Sequence, residues 1–264
     1  MAVTTTRRAI VRMAREAAPT RTPDDLAVEA PLVLALDGAA IATLMRTPGH
    51  DLDLAAGWLV VESGVRHAAD VGTLRACRED DTDRVHIVLR PGVRAPRPRA
   101  FVTSAACGVC SADVLDLRPL VTSAPHRDGW SVARSVLVAL PATMRARQKA
   151  FDRTGAVHAA ALADAGGVIT VVREDIGRHN AVDKVIGRAL FDGALPAQDR
   201  LLVVSGRVSF EIVQKAVAAG VAGIVAVSAP SSLAVDLARE YGLLLAAMVR
   251  DGRLNLYAGE ELVG

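Results

Sequence analysis

The second half of the chain alternates short apolar runs with helical patterns, and this alternation constrains the fold more than any other feature. From about residue 155, the apolar runs GGVITVV, RLLVVSG, VAGIVAVSAP and LLLAAMVRDG are separated by HNAVDKVIGRALFDG, SFEIVQKAVAAG and SSLAVDLAREYG. Apolar strands that alternate with short helices are typical of a mostly parallel sheet covered by helices on both faces. We therefore predict an α/β domain over residues 131–264, with RLNLYA as an edge strand.

The first hundred residues have a different pattern. The segment PLVLALDGAAIATLM predicts two strands around an Asp37-Gly38 turn, HDLDLAAGWLVVESG predicts a helix, and DRVHIVLR alternates like a half-buried strand. Together they predict a small α+β domain over residues 25–100. In residues 1–24, Arg12 and Arg15 interrupt the apolar stretch that an export signal needs, so we predict a flexible N-terminal tail there.

The segment between these two regions predicts a loop. RPGVRAPRPRAFVTSAACGVCSA contains three prolines and two glycines, which favour a flexible loop over residues 101–130. This loop carries Cys107 and Cys110 at a C-x-x-C spacing. The following residues predict a helix that Ser131 caps and Pro141 bends.

The composition excludes several classes of protein. The net charge of +2 is too small for a generic nucleic-acid binder, and the basic residues are scattered along the chain. No run of about 20 apolar residues predicts a membrane span. Three cysteines without a secretion signal indicate a reducing compartment. We therefore expect a cytoplasmic protein that binds neither nucleic acid nor membrane.

Residues that follow the predicted strands suggest where a ligand binds. In open α/β sheets, ligands lie beyond the carboxyl ends of the strands, which here lead into REDIGRHN, SGRVS, SAPSS and RDGR. Small residues leave backbone N–H groups open, and arginines add positive charge: Arg173, Arg178, Arg207, Arg250 and Arg253. This pattern favours an anionic, nucleotide-like ligand. The alternative is that Ser209 and Ser231 only cap helices and the arginines face water.

The C-x-x-C pair has two main chemical uses. As zinc ligands, Cys107 and Cys110 would need His158 or His179 to complete the set, since Cys77 lies far off in sequence. Zinc nucleobase deaminases carry H-x-E before their C-x-x-C, whereas here an alanine takes the place of the glutamate and the cysteines come first. As a thiolate, one cysteine could instead move sulfur between a donor and an acceptor.

Several segments, in this order, resemble the formate dehydrogenase accessory sulfurtransferase family, FdhD. They are CGVC at 107–110, HAAA at 158–161, REDIGRHNAVDKVIG at 173–187, SGRVSFEIVQKA at 205–216 and AVSAPSSLAVDLA at 226–238. The resemblance implies a three-layer α/β/α domain of the cytidine deaminase-like type and a homodimer. The chain departs from the family in having Ser111 where many members have a second glycine.

The resemblance also implies an activity and a site. It implies a sulfurtransferase that takes persulfide sulfur from a cysteine desulfurase and delivers it to the molybdenum cofactor, as bis(molybdopterin guanine dinucleotide), for formate dehydrogenase. No permanently bound metal is expected. Cys107 matches the persulfide-bearing cysteine, with Cys110 as its partner. The family's cofactor-binding stretch matches Met248, Val249, Arg250, Asp251, Gly252 and Arg253, to which we add Ser205, Gly206, Arg207, His158, Arg178 and His179.

Two other functions remain open at this point. The protein could be a chaperone that binds and presents the molybdenum cofactor without moving sulfur. It could also be a zinc-dependent hydrolase that uses Cys107, Cys110 and His158.

Overall fold

The computed structural model describes residues 3–79, 81–96, 117–121 and 123–264, and the backbone of residues 102–103. Its helices are α1 (Asp51–Glu62), α2 (Arg134–Arg145), α3 (Lys149–Thr154), α4 (Arg178–Phe191), α5 (Phe210–Ala219) and α6 (Ser232–Glu240). Its strands are β1 (Thr5–Ala14), β2 (Ala17–Ala27), β3 (Ala30–Leu36), β4 (Ala39–Arg46), β5 (Val71–Glu79), β6 (Thr82–Leu89), β7 (Val102–Thr103), β8 (His158–Ala163), β9 (Ile169–Asp175), β10 (Leu201–Val204), β11 (Gly223–Ala226), β12 (Leu244–Arg250) and β13 (Arg253–Ala258).

The large sheet is mixed, so the prediction of a mostly parallel sheet is wrong. Its strand order is β13-β12-β11-β10-β8-β9. The pairs β10–β11 and β11–β12 are parallel, whereas β12–β13, β10–β8 and β8–β9 are antiparallel. The cause is chain connection: short turns join β8 to β9 and β12 to β13, and a short turn can join only antiparallel neighbours. The predicted edge strand RLNLYA is confirmed as β13.

Helices cover both faces of this sheet. On one face, Ala159 and Val203 pack with Leu137 and Leu140 of α2. On the other face, alternate strand residues such as Leu162 pack in a larger apolar cluster with residues of α1, α4, α5 and α6. The α/β class and the three-layer arrangement are therefore confirmed. None of the helices in the described ranges is both long and apolar enough to cross a membrane.

The second sheet packs on α1 and belongs to the same apolar cluster. Its order is β5-β6-β3-β4-β7, and residues of β3 and β6 such as Leu34 and Ile87 join those of α1 in that cluster. Helix α1 in turn touches α4 backbone to backbone. A Cβ on Gly57 would lie 1.9 Å from the carbonyl oxygen of Asp183, and one on Gly187 would lie 1.8 Å from that of Asp53. Only glycine permits this approach.

The N-terminal segment is a hairpin, so the prediction of a tail over residues 1–24 is wrong. Strands β1 and β2 pair antiparallel, with Thr5 opposite Ala27. Most of their side chains are exposed, which is why no apolar periodicity marked the segment. Asp25 accepts from Arg7 within the hairpin and from Arg153 of α3. Backbone pairing and these polar contacts, rather than a buried face, define the hairpin.

The helix predicted after residue 131 is α2, with a different start. Its N-cap is Ala133 rather than the predicted Ser131, and it continues through Pro141 to Arg145. The reason is that the residues before it pair with the C-terminus of the chain. Val132 N–H donates to the carbonyl of Leu262 at 2.9 Å, and Arg134 N–H donates to that of Gly264 at 3.2 Å.

A fully buried ion pair joins the two sheets. Asp175, at the end of β9, and Lys184 of α4 are 0% and 1% exposed, and the Lys184 Nζ to Asp175 Oδ2 distance is 2.6 Å. The ammonium also donates to the carbonyl of Thr47 at 2.8 Å. The Asp175 carboxylate accepts from the N–H groups of Thr47 and Gly177 and from the Asn180 amide. One carboxylate thereby fixes the residues after β4 and the start of α4.

Other charged groups around α4 are paired in the same way. Lys215 of α5 donates to Asp183 at 2.6 Å, and Arg173 contacts Asp53 of α1 at 2.8 Å. Glu174 accepts from the first N–H groups of α3. Most charged side chains of the segment REDIGRHNAVDK therefore stabilise the packing of helices and strands against one another.

We expect Asp175→Asn to lower the free energy of unfolding by about 3–5 kcal/mol, because it leaves the Lys184 ammonium buried without its carboxylate. Urea unfolding measures this change. The matched control is Asp152→Asn, whose partner Arg145 and own side chain are 47% and 56% exposed; removing such a surface pair changes stability by about 0–1 kcal/mol. Asp175→Asn/Lys184→Met, which removes both charges, should recover much of the loss. Equal effects of Asp175→Asn and Asp152→Asn would contradict the assignment.

Candidate functional site

The predicted ligand residues of the large sheet meet at one edge. Strand β8 runs antiparallel to β10, so its first residue, His158, lies beside Ser205, which follows the last residue of β10. His158 also pairs in register with Asp175 at the end of β9. The carboxyl ends of β9 and β10 and the start of α4 therefore surround His158.

A glycine allows the side chains at this edge to approach closely. Ser205 Oγ accepts from the N–H of Ala159 at 2.9 Å and lies 3.5 Å from His158 Nδ1. Gly206 is buried, and a Cβ there would lie 3.4 Å from both His158 Nδ1 and Arg178 Cδ. The structure thus brings together four of the predicted site residues: His158, Arg178, Ser205 and Gly206.

Positive charge accumulates at this position. Burial, followed by the charges of Arg178, His179 and Arg207, lowers the pKa of His158 below its usual value. Burial and then Arg207 lower the pKa of Arg178. Among the described residues, neither Arg178 nor Arg207 has a carboxylate within 4.0 Å, and the buried Nε of Arg178 has no hydrogen-bond partner. We call Arg178, Arg207 and the adjoining imidazole of His158 the cationic cluster, in which the two guanidinium groups carry the positive charge.

His179 points to a different partner from its neighbour. Its Nε2 lies 3.0 Å from Glu211 Oε2 in α5, and this contact lowers the pKa of Glu211. Its Nδ1 is buried and has no hydrogen-bond partner in the described part of the chain. Sequence reasoning missed Glu211, although it lies within the quoted segment SGRVSFEIVQKA.

A cavity of about 540 Å³ shares His158 with the cationic cluster, whereas Arg178 and Arg207 are not among its wall residues. Its walls include His158, Ser205, Val227 and Val249 on the sheet side and Phe151 of α3. Of the predicted cofactor-binding stretch 248–253, Val249 therefore lines the same cavity as His158. The apolar wall next to positive groups suits a ligand with a flat organic part and an anionic part.

The rest of the predicted stretch lies at the turn between β12 and β13. Arg250 pairs with Arg253 across the turn, and Asp251 and Gly252 have positive φ angles of 52° and 73°. These four residues are exposed. Gly252 and Arg253 line a separate cavity of about 1020 Å³ that is also bordered by the start of α2. Met248 precedes this group with a φ of 55°.

Other predictions have mixed outcomes. Ser231 caps α6, its Oγ accepting from the N–H of Ala234 at 3.2 Å, so the alternative that it is a helix cap is confirmed. Ser209 occupies the N-cap position of α5 without a side-chain cap bond. Arg173 is paired with Asp53 rather than available to an anion.

The two cysteines of the C-x-x-C pair lie outside the described residues. Their roles, the flexible loop around them and the zinc set of Cys107, Cys110 and His158 therefore stay predictions.

Comparison with known proteins identifies relatives of the chain. Residues 27–263 match the model of the FdhD/NarQ family. A Nocardia farcinica protein named sulfur carrier protein FdhD is 47% identical over 261 residues, which are 97% of this chain and 93% of that protein. A Corynebacterium efficiens protein of the same name is 44% identical over 256 residues, 90% of each chain.

A solved structure shares the fold. The crystal structure of a Desulfotalea psychrophila protein, described as a candidate formate dehydrogenase accessory protein, matches with a TM-score of 0.78 and 22% identity. The match covers 99% of this chain and 100% of that one. The sequence match over residues 27–263, together with relatives of up to 47% identity, shows that the chain belongs to the FdhD/NarQ family.

Proposed function

We propose that the protein is a sulfur carrier in the maturation of formate dehydrogenase. In this role it accepts persulfide sulfur from a cysteine desulfurase and delivers it to the molybdenum cofactor, as bis(molybdopterin guanine dinucleotide). Relatives named sulfur carrier protein FdhD support the general role. The observation that carries the proposal is the cationic cluster beside the cavity of about 540 Å³, because the cofactor presents phosphates and flat rings together.

The scaffold prepares the cluster for phosphate. Arg178 is the first residue of α4, a helix whose positive dipole end favours an anion. Gly206 lies in contact distance of both His158 and Arg178, so the turn after β10 borders the proposed phosphate position. A phosphate between Arg178 and Arg207 would neutralise charges that have no carboxylate partner in the described ranges. Arg250 and Arg253, exposed at the β12–β13 turn, are the further contacts that we propose for the second nucleotide.

Sulfur transfer in this proposal needs only thiols. The Cys107 thiolate attacks the outer sulfur of the desulfurase persulfide, the sulfur–sulfur bond breaks, and the desulfurase cysteine leaves as a thiolate. Cys110 then attacks the inner sulfur of the Cys107 persulfide. This forms a Cys107–Cys110 disulfide and releases hydrosulfide, which replaces an oxygen ligand of molybdenum as water leaves. A cellular dithiol reductant restores the two thiols.

We expect one added sulfur atom when the protein is incubated with a cysteine desulfurase and cysteine. Mass spectrometry of the intact protein should detect it, and Cys107→Ala should abolish it because the accepting thiolate is gone. The matched control is Cys77→Ala, which removes the cysteine of β5 and should leave the adduct intact.

An undiminished adduct in Cys107→Ala would contradict the assignment of the acceptor. Formate dehydrogenase activity in cells separates the chaperone alternative. Full activity with Cys107→Ala would favour a protein that presents the cofactor without moving sulfur.

We expect a guanine nucleoside diphosphate to bind at the cationic cluster. Arg178→Gln should weaken binding about 10-fold to 100-fold, because a charge-assisted hydrogen bond contributes about 1.5–3 kcal/mol. Calorimetry measures the affinity. The matched control is Arg188→Gln on the same helix, since Arg188 pairs with Asp192 at the other end of α4.

The His158 resonance gives a second readout. Burial, and after it neighbouring positive charge, holds the pKa of His158 low, so a bound phosphate should raise this pKa by favouring the imidazolium. Binding should therefore tighten as pH falls through this pKa. Equal nucleotide affinities of Arg178→Gln and Arg188→Gln, or an unshifted His158 titration, would reject this site.

A further inference from the structure

Cys77 lies on β5, an edge strand of the second sheet, and takes no part in the sulfur transfer proposed above. It belongs to β5, which pairs antiparallel with β6 so that Cys77 faces Arg84 and Arg75 faces His86. Because side chains alternate along a strand, Cys77 and Glu79 share one face, and Leu74 on the opposite face packs against the core. The outer face of this hairpin therefore presents a cysteine, a carboxylate and an imidazole together.

The three side chains are close enough to share one ion. Glu79 Oε1 lies 2.7 Å from His86 Nε2 and 3.4 Å from Cys77 Sγ. One ligand atom from each of the three residues lies within 4.8 Å of the other two.

We propose that Cys77, Glu79 and His86 bind a zinc ion. Zinc takes sulfur at about 2.3 Å and nitrogen or oxygen at about 2.0–2.1 Å, so ligand atoms on a tetrahedron lie about 3.3–3.6 Å apart. The sulfur–carboxylate separation already has this value, and the carboxylate and imidazole need to separate by only about 0.6 Å. A water molecule completes four ligands.

The charges and the surroundings fit this ion. Zinc binding displaces to solvent the thiol proton of Cys77 and the Nε2 proton that His86 donates to Glu79. The resulting thiolate together with the Glu79 carboxylate neutralises the divalent ion. Arg84 Nε contacts the other carboxylate oxygen, Oε2, at 3.1 Å. This contact orients Glu79 while leaving Oε1 for the metal, as outer ligands commonly do. Cysteine with histidine and carboxylate favours zinc over the hard ions magnesium and calcium.

The test is cobalt and zinc titration of the full chain carrying Cys107→Ser and Cys110→Ser, which removes the other thiol pair. Cobalt should bind at one equivalent with the thiolate-to-metal absorption band and the strong visible bands of a tetrahedral site, and zinc should displace it. Adding Cys77→Ser should abolish the thiolate band.

His86→Gln and Arg84→Gln distinguish a zinc site with several protein ligands from metal binding by a single cysteine. His86→Gln should weaken cobalt binding by more than the 10-fold to 100-fold expected for Arg84→Gln, which removes an outer contact. The matched control, His126→Gln, removes a partly exposed histidine that stacks on Trp130 elsewhere and should leave the affinity unchanged. Absence of a thiolate band in the parent, or an unchanged affinity in His86→Gln, would overturn the proposal.

Discussion

The buried pair of Asp175 and Lys184 is the interaction on which the rest of the structure depends. Two charges taken out of water are tolerated only when every remaining donor and acceptor is satisfied. Asp175 meets this demand by binding Lys184, Thr47, Gly177 and Asn180. These partners come from the end of β4, the loop after β9 and the first turns of α4. Satisfying one carboxylate therefore fixes how the second sheet, the large sheet and α4 fit together.

The same arrangement explains why the ligand edge stays positive. The charges that face inward from α4 and β9 are matched: Asp183 with Lys215, and Arg173 with Asp53. Arg178, at the outer start of α4, has no such partner among the described residues, and Arg207 stands nearby after β10. An anion that binds there meets guanidinium groups that the scaffold already holds in position. Little free energy is therefore lost to rearranging them, and most of the electrostatic attraction contributes to binding.

Sequence patterns predicted the strands with strongly apolar sequences and the helices with one apolar face. Strands β9 to β13 and helices α4 to α6 match the apolar runs and the helical patterns. Strand β8 had no such signal, because its sequence HAAALA is mostly alanine and is buried on both faces. The N-terminal hairpin was missed for the opposite reason, since most of its side chains are exposed. In both cases backbone pairing with the next strand along the chain defines the element, and an apolar pattern does not record that pairing.

Of the candidate site, the sequence could predict only those residues that directly follow the predicted strands. The rule that ligands lie at carboxyl ends placed Ser205, Gly206 and Arg178 correctly beside one another. It also included Arg173, whose partner Asp53 lies 120 residues earlier in the chain, too far for sequence spacing to reveal. Residues 173–184 thus combine two functions in one segment: inward side chains bind the scaffold, and Arg178, at the start of α4, lies near His158 and Arg207. Because backbone position and charge are set by separate side chains, the cationic cluster can change without loss of the fold.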